Sequence, residues 1–199
     1  MKTSIKIKIT RALTALLLVT ALLPVSVFAT DKNPIRTSNI TPIKKIFIKG
    51  NVEVIIVQGL PESVSYTDDN TGRVKVIKNG GMLRIIGDSK ESSKLFIYVK
   101  DIYRIEAEDN AIIRSEGWLK TKFLQIFLKG NAKADLRTST QGLYTSLQDN
   151  ANLKLSGSTD DHMLEMGNTQ RLNIDNFVAS NTQYLSMDTL ALEKNSKEY

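Results

Sequence analysis

Few side chains in this sequence have the chemistry of an active site, and His162 comes first because it is the only histidine. It directly follows Asp160 and Asp161, so a hydrolase triad or a metal site would draw on these three residues. A hydrolase also needs a nucleophile and a group that orients the base, and the preceding Ser156-Gly157-Ser158-Thr159 is typical of a loop. We therefore predict a solvated turn here, with no catalytic residue, metal ligand or cofactor.

Two equivalent carboxylates suggest a second route to catalysis, because glycosidases place an acid on each side of the scissile bond. Asp109 and Asp149 occupy the same place in two copies of a repeat, and two strand spacings would separate them by about 10 Å. Gly130 stands at that place in the copy between them, which favours a turn over a site. A β-helix carbohydrate-active enzyme stays an alternative, and we expect a protein that is not an enzyme.

Aromatic side chains are the candidates for binding. Phe123 and Phe127 alternate with Leu124, Ile126 and Leu128, so they point away from the face that the leucines bury. An outward phenylalanine pair needs either a covering layer or a partner. The single tryptophan, Trp118, either packs at a hydrophobic edge or stacks on a sugar. We take Phe123, Phe127 and Trp118 together as a candidate binding patch.

The elements that must position these residues come from an internal repeat. A Gly-Asn or Asp-Asn pair recurs along the chain, and its later copies follow one another at nearly even intervals. Alternating apolar residues flank each pair, which is the pattern of a half-buried strand on either side of a corner. Asparagine suits a corner because it tolerates left-handed backbone and its amide bonds to neighbouring groups. We assign a structural role to the five corner asparagines: Asn51, Asn110, Asn131, Asn150 and Asn168.

Strand repeats of about 20 residues predict an all-β, single-domain β-solenoid, similar to a parallel β-helix. Turn residues between the earlier strands, including Asn79-Gly80-Gly81, predict N-terminal β-hairpins. The last copy departs from the repeat in two ways. Leu164 and Met166 do not fall on the alternating positions that are apolar in the other copies, and Arg171 stands where the other copies have an apolar residue. A bulge or an altered terminal rung would account for that departure.

The same segments resemble a known family, the auto-transporter adhesin head GIN domain. The resemblance lies in Ile43–Gly59, in Gly81-Met82-Leu83-Arg84-Ile85 and in Leu124–Ala134, and it extends to about Asn181. It implies an exported, β-rich, adhesive protein with a solenoid-like body, and it brings no catalytic residues. The corners differ from the family's usual Gly-Ser-Gly-Asp-like form, and the match weakens after Asn168.

The charge is concentrated at the start of the chain. The sequence has 199 residues and a net charge of +6, and Lys2, Lys6, Lys8 and Arg11 precede an apolar run that ends in Val27-Phe28-Ala29. This order predicts a cleaved signal peptide over 1–29, whose removal brings the basic side chains almost level with the acidic ones. We further predict a lead-in over 30–42, the β-solenoid over 43–189 and a polar tail over 190–199.

These features limit the classes of function that the protein can have. A nearly neutral mature chain excludes a nucleic-acid binder, and no membrane span is expected after signal cleavage. The chain has no cysteine, which excludes disulfides and a lipid-modified cysteine. We expect a protein of the periplasm, cell surface or medium that binds a glycan or a surface protein. A self-assembling envelope protein is the other alternative.

Overall fold

The computed structural model describes residues 41–67, 73–88 and 90–185, and every regular element within them is a β-strand. The prediction of the all-β class is confirmed. The strands are β1 (Lys45–Lys49), β2 (Val52–Gln58), β3 (Ser63–Tyr66), β4 (Val74–Asn79), β5 (Met82–Gly87), β6 (Ser93–Val99), β7 (Arg104–Glu108), β8 (Ile112–Glu116), β9 (Leu119–Lys120), β10 (Phe123–Leu128), β11 (Lys133–Leu147), β12 (Asn152–Met166) and β13 (Arg171–Leu185).

All thirteen strands belong to one mixed sheet, and the repeat determines how they pair. Strands of successive copies lie parallel and in register, so β10 pairs with β11 through Leu124 and Leu143, and β11 pairs with β12 through Leu136 and Leu155. The offset along the chain is the same in both pairings, and it equals the separation of Asn131 from Asn150. Equivalent side chains of neighbouring copies therefore lie side by side.

Each corner separates two columns of strands. Strands β1, β7 and β10 come before the corners and stack on one another, and strands β2 and β8 come after them. The long strand β11 contributes to both columns, because Lys133–Asp135 pair with β8 and Gly142–Leu147 pair with β10. A side chain placed outward in one copy therefore has outward neighbours at the equivalent positions of the copies before and after it.

The interior is formed by the alternating apolar positions. Ile46, Ile105 and Ile126 form one fully buried row across the first column, and Val54 and Ile113 start a row across the second. Burying such branched side chains contributes roughly 1.5–3 kcal/mol each. Without disulfides, these rows supply most of the stability of the fold.

The N-terminal part contains the predicted hairpin. Strands β4 and β5 are antiparallel, and Gly80 in the connecting turn has a positive φ of 56°. Strand β3 also pairs antiparallel, but with β6 rather than with its chain neighbour. Both antiparallel pairs lie beside the first copy of the repeat, because β5 pairs parallel with β1 and β6 pairs parallel with β2.

The last copy is irregular, as its sequence indicated. The pairing of β12 with β13 shifts between Lys154 and Ser156, so one extra residue is accommodated in β13. Among the described strands, β13 pairs only with β12. Most of its side chains are exposed, and Val178 and Tyr184 are the most exposed apolar ones at 69% and 71%.

Several predictions of domain organisation fall on other parts of the chain. The predicted signal peptide over 1–29, the lead-in over 30–42 except its last two residues, and the tail over 190–199 lie outside the described residues. They stay predictions. In the described part of the chain, no helix is long and apolar enough to cross a bilayer.

Candidate functional site

Trp118 is held at the surface by the residues on either side of it. Gly117 has a φ of +82°, a conformation that glycine adopts without strain, and it turns the chain after β8. Leu119 then enters the core and is fully buried. Because its neighbours are fixed in this way, Trp118 points outward, with 45% of its surface exposed.

The indole ring lies against a strand two copies further along. A Cβ atom built on Gly157 would lie 2.7 Å from Cζ3 of Trp118 and would collide with the carbonyl oxygen of Thr138. Only glycine fits at this position, so residue 157 makes room for the ring. On the intervening strand, the guanidinium of Arg137 is 5.7 Å from the centre of the indole ring, within the range of a cation–π contact.

Trp118 forms one side of an open groove of about 690 Å³ on the outer surface of β8, β11 and β12. This volume is within the range of about 300–1,000 Å³ that is typical of small-ligand sites. The groove is lined mainly by polar and charged side chains. They comprise Arg114, Ser115, Glu116, Asp135, Arg137, Lys154, Ser156 and Asn176.

The charges in this groove are only partly paired. Arg114 lies 3.3 Å from a Glu53 carboxylate oxygen, and Lys154 lies 3.2 Å from Asp135. Within the described residues, Arg137 has no carboxylate within 4 Å of its guanidinium. Its backbone N–H donates to Oγ of Ser115 at 2.8 Å, which holds the strand in place. Arg137 therefore presents a positioned cation beside an exposed aromatic ring.

The polar lining of the groove was not predicted from the sequence. Three of the charged residues lie side by side on neighbouring strands, because Asp135 is the register partner of both Arg114 and Lys154. Their spacing in the sequence is the same as that of the three central corner asparagines. Arg137 and Trp118 are likewise at equivalent positions, because the residues that follow them are register partners on β11 and β9. Extending the repeat register to the outward positions would have predicted this cluster.

The other two aromatic residues of the candidate patch lie elsewhere. Phe123 is 58% exposed and covers Gly142 on the next strand, where a Cβ would be 2.8 Å from its ring. Phe127 is half-buried, with the Arg104 guanidinium 4.2 Å from its ring centre. No described contact joins either phenylalanine to Trp118, and neither lines the groove.

Phe127 belongs instead to a packed cluster on the outer surface of the first column. Its ring centre is 5.3 Å from that of Tyr144, whose hydroxyl donates to Glu165. Partial burial, together with this carboxylate, raises the pKa of Tyr144 to about 12. The phenol therefore stays protonated at neutral pH and serves as a hydrogen-bond donor.

Three of the corner asparagines form a ladder. Nδ2 of Asn131 donates to Oδ1 of Asn110 at 3.1 Å, and Nδ2 of Asn150 donates to Oδ1 of Asn131 at 3.4 Å. Asn51 lies at the equivalent position of the first copy, whereas in the last copy the register places Thr169 opposite Asn150 and Asn168 opposite Asp149. These contacts connect one copy to the next through amides that face solvent.

At the first four corners the left-handed residue is the one before the asparagine, which differs from our expectation. Asp109 and Asp149 have φ values of 63° and 58°, and Gly50 and Gly130 have 91° and 73°. The Asp149 carboxylate accepts a hydrogen bond from the N–H of Gly130 at 3.0 Å. Aspartate replaces glycine here because its carboxylate stabilises the adjacent corner.

The prediction of a solvated turn at His162 is wrong. This residue lies inside β12, is only 3% exposed, and shares a 2.9 Å hydrogen bond between Nε2 and Oγ1 of Thr145. Its ring also meets the ring of Phe177 edge-on at 5.6 Å. The polar run before it forms a strand because β12 pairs with β11 along almost its whole length. Burial lowers the pKa of His162, which favours the neutral form of the imidazole.

The acidic residues considered for catalysis are not brought together. Asp109 and Asp149 lie at the corners, Asp160 is exposed on β12, and His162 faces the interior. Among the described residues, no three histidine or carboxylate side chains cluster in a way that could hold a metal ion. The Trp118 groove is therefore the strongest candidate site.

Comparisons with known proteins agree with this architecture. A family profile described as “Putative auto-transporter adhesin, head GIN domain” matches residues 43–186. A putative adhesin from Bacteroides fragilis superposes with a TM-score of 0.63 at 18% identity, over 73% of this chain and 74% of that one. A search of curated sequences finds no significant match.

Two structures from Parabacteroides distasonis have the same fold. One is a putative adhesin with a TM-score of 0.55 and 8% identity, over 74% of this chain and 75% of that one. The other is described as a putative lipid binding protein, with a TM-score of 0.53 and 12% identity over 74% and 76%. At these identities the similarity establishes the fold alone.

Proposed function

Because this chain belongs to the auto-transporter adhesin head GIN domain family, we propose that it is an exported, non-enzymatic adhesin-like protein that binds a glycan. In this proposal the stacked copies form a rigid β-solenoid whose outer face meets the partner. Parallel, in-register pairing of successive copies supports such an arrangement. A rigid surface favours binding because little conformational entropy is lost on association.

The observation that carries the proposal is the Trp118 groove. An indole that is 45% exposed offers a flat apolar surface, against which the C–H face of a sugar ring packs. The polar side chains around it can donate to and accept from sugar hydroxyl groups. A protein partner is the other ligand class, although the polar lining favours a glycan.

A glycan array probed with residues 30–199 tests this proposal. We expect specific binding that Trp118→Ala reduces at least tenfold and that Phe123→Ala leaves within twofold. Phe123 is the matched control because it is an exposed aromatic residue outside the groove. A folded wild-type chain that binds no glycan, or equal losses for both variants, would overturn the assignment.

One observation favours a second function, self-assembly in the cell envelope. Strand β13 is hydrogen-bonded along one side only among the described strands, and it exposes Ile174, Val178 and Tyr184. Unpaired strand edges are templates for pairing with another chain. Sedimentation of the mature chain tests this function, and a mass of one chain at all concentrations would contradict it.

A further inference from the structure

We infer that the Trp118 groove recognises an anionic saccharide, with the indole against a sugar ring and the Arg137 guanidinium on its carboxylate, sulfate or phosphate group. This inference rests on the proposed glycan binding and specifies the chemical class of the ligand. Its basis is an arginine that has no described carboxylate within 4 Å of its guanidinium and lies next to an exposed tryptophan.

The cations of the groove differ in their pairing. The groove is lined by three cationic side chains, Arg114, Arg137 and Lys154, and by two carboxylates, Glu116 and Asp135. Arg114 pairs with Glu53 and Lys154 pairs with Asp135, whereas Arg137 has no described carboxylate within 4 Å. Cations and carboxylates are equal in number once Glu53 is included, so the feature that favours an anion is the position of the Arg137 charge beside the indole.

The chemistry of a guanidinium suits an anion. It forms two parallel hydrogen bonds to a carboxylate or phosphate, which an ammonium group cannot do. The strand and the contact with Trp118, 5.7 Å from the ring centre, place the Arg137 guanidinium beside the indole.

A second charged side chain without a close partner bears on the selectivity of the groove. Glu116 lies in the same groove and, among the described residues, has no cation within 4 Å. A carboxylate in this position repels a uniformly charged polyanion but can accept hydrogen bonds from neutral sugar hydroxyls. The lining therefore fits a single anionic group that is attached to otherwise neutral rings.

The test uses residues 30–199 on an array that carries each glycan in neutral, carboxylated, sulfated and phosphorylated forms. We expect the wild type to bind one or more anionic forms at least tenfold more tightly than the matched neutral form. A hydrogen bond to a charged group accounts for a change of about tenfold to a hundredfold. The arms of the array identify which anion is bound, and sodium sulfate alone tests whether the sugar is needed.

Two variants of one residue locate the interaction. Arg137→Gln should weaken binding of the anionic form more than binding of the neutral form, so that the preference is lost, and Arg137→Lys should retain part of the preference. Lys133→Gln is the matched control, because Lys133 is an exposed cation on the same strand outside the groove. Fluorescence of the single tryptophan follows ligand binding and shows whether the free groove is unchanged.

The outcomes separate the two proposals. Equal affinity for neutral and anionic forms, with binding still lost in Trp118→Ala, would overturn the anionic class and leave glycan binding in place. A preference for anions that survives Arg137→Gln would overturn the role of this arginine. If the folded wild type binds no form of any glycan, the proposed function itself fails.

Discussion

At the scale of single residues, the hydrogen bond between Thr145 and His162 is the main polar feature of the core. Thr145 continues the row of Ile105 and Ile126, and His162 is paired with Leu143. Both rows are apolar before they reach these positions. Two polar groups are buried there at little cost because each satisfies the other.

Because each group is the other's hydrogen-bond partner, we expect a single substitution to lower the free energy of unfolding and the double substitution to restore most of it. His162→Leu leaves Oγ1 of Thr145 without its buried partner and should lower the free energy of unfolding by about 1–3 kcal/mol. The double variant Thr145→Val/His162→Leu removes both polar groups and should recover most of this loss. Urea unfolding of the wild type, the two single variants and the double variant measures the coupling, and strict additivity would contradict it.

His162 also predicts a pH dependence. Burial lowers its pKa in the folded protein below the ordinary value of 6.5, so below that pH the unfolded chain binds a proton that the folded chain does not. The free energy of unfolding should therefore fall as the pH decreases below about 6.5, and be unaffected by this group above it. The double variant Thr145→Val/His162→Leu keeps every other titrating group of the wild type. The free energies of unfolding of the wild type and of this variant are therefore compared at pH 7.5 and pH 5. Equal losses in both would exclude His162 as the cause.

At the scale of the elements, the corners have two solutions to one steric problem. The chain needs a left-handed residue there, and glycine at 130 supplies it without strain, whereas aspartate at 149 adds a hydrogen bond to the N–H of Gly130. This bond spans neighbouring copies. The asparagine ladder next to it also joins neighbouring copies, through contacts at the surface of the corners.

A pair of substitutions at Asp149 separates the two contributions. Asp149→Ala loses the hydrogen bond and keeps a Cβ in the left-handed region, so we expect a loss of about 1–2 kcal/mol. Asp149→Gly loses the same bond but relieves the strain, and its loss should be smaller by about 1 kcal/mol. Thermal unfolding measures both losses, and Asp160→Ala, at an exposed position of β12, is the control. A glycine variant less stable than the alanine variant would contradict this account.

At the scale of the whole molecule, the repeat explains what the sequence could and could not predict. Alternation and spacing along the sequence predict the strand class, the hairpin turn before Met82 and the register in which the copies pair. They do not predict that Gly157 makes room for the ring of Trp118, or that His162 is buried against Thr145, because both depend on a residue in another copy. Gly157 and Thr145 became informative only after the register aligned them with these side chains.

The same stacking predicts a gradient of stability towards the last strand. Leu153 and Leu172 are register partners on β12 and β13, but Leu153 has a strand on both sides and is fully buried, whereas Leu172 is only partly buried. Leu153→Ala should cost about 2–5 kcal/mol, the usual range for a core leucine. Leu172→Ala should cost about 1 kcal/mol, because the side chain loses less buried surface. Urea unfolding at low protein concentration measures both.

Repeating this measurement at high protein concentration distinguishes the two proposed functions. If a second copy pairs with β13, Leu172 becomes enclosed on both sides, and folding is coupled to association. The cost of Leu172→Ala should then rise with protein concentration, while that of Leu153→Ala stays large throughout. A cost that is independent of concentration is expected for a monomeric adhesin, whose exposed strand β13 takes no part in assembly. The ratio of the two losses therefore reports directly on whether the end of the sheet is covered.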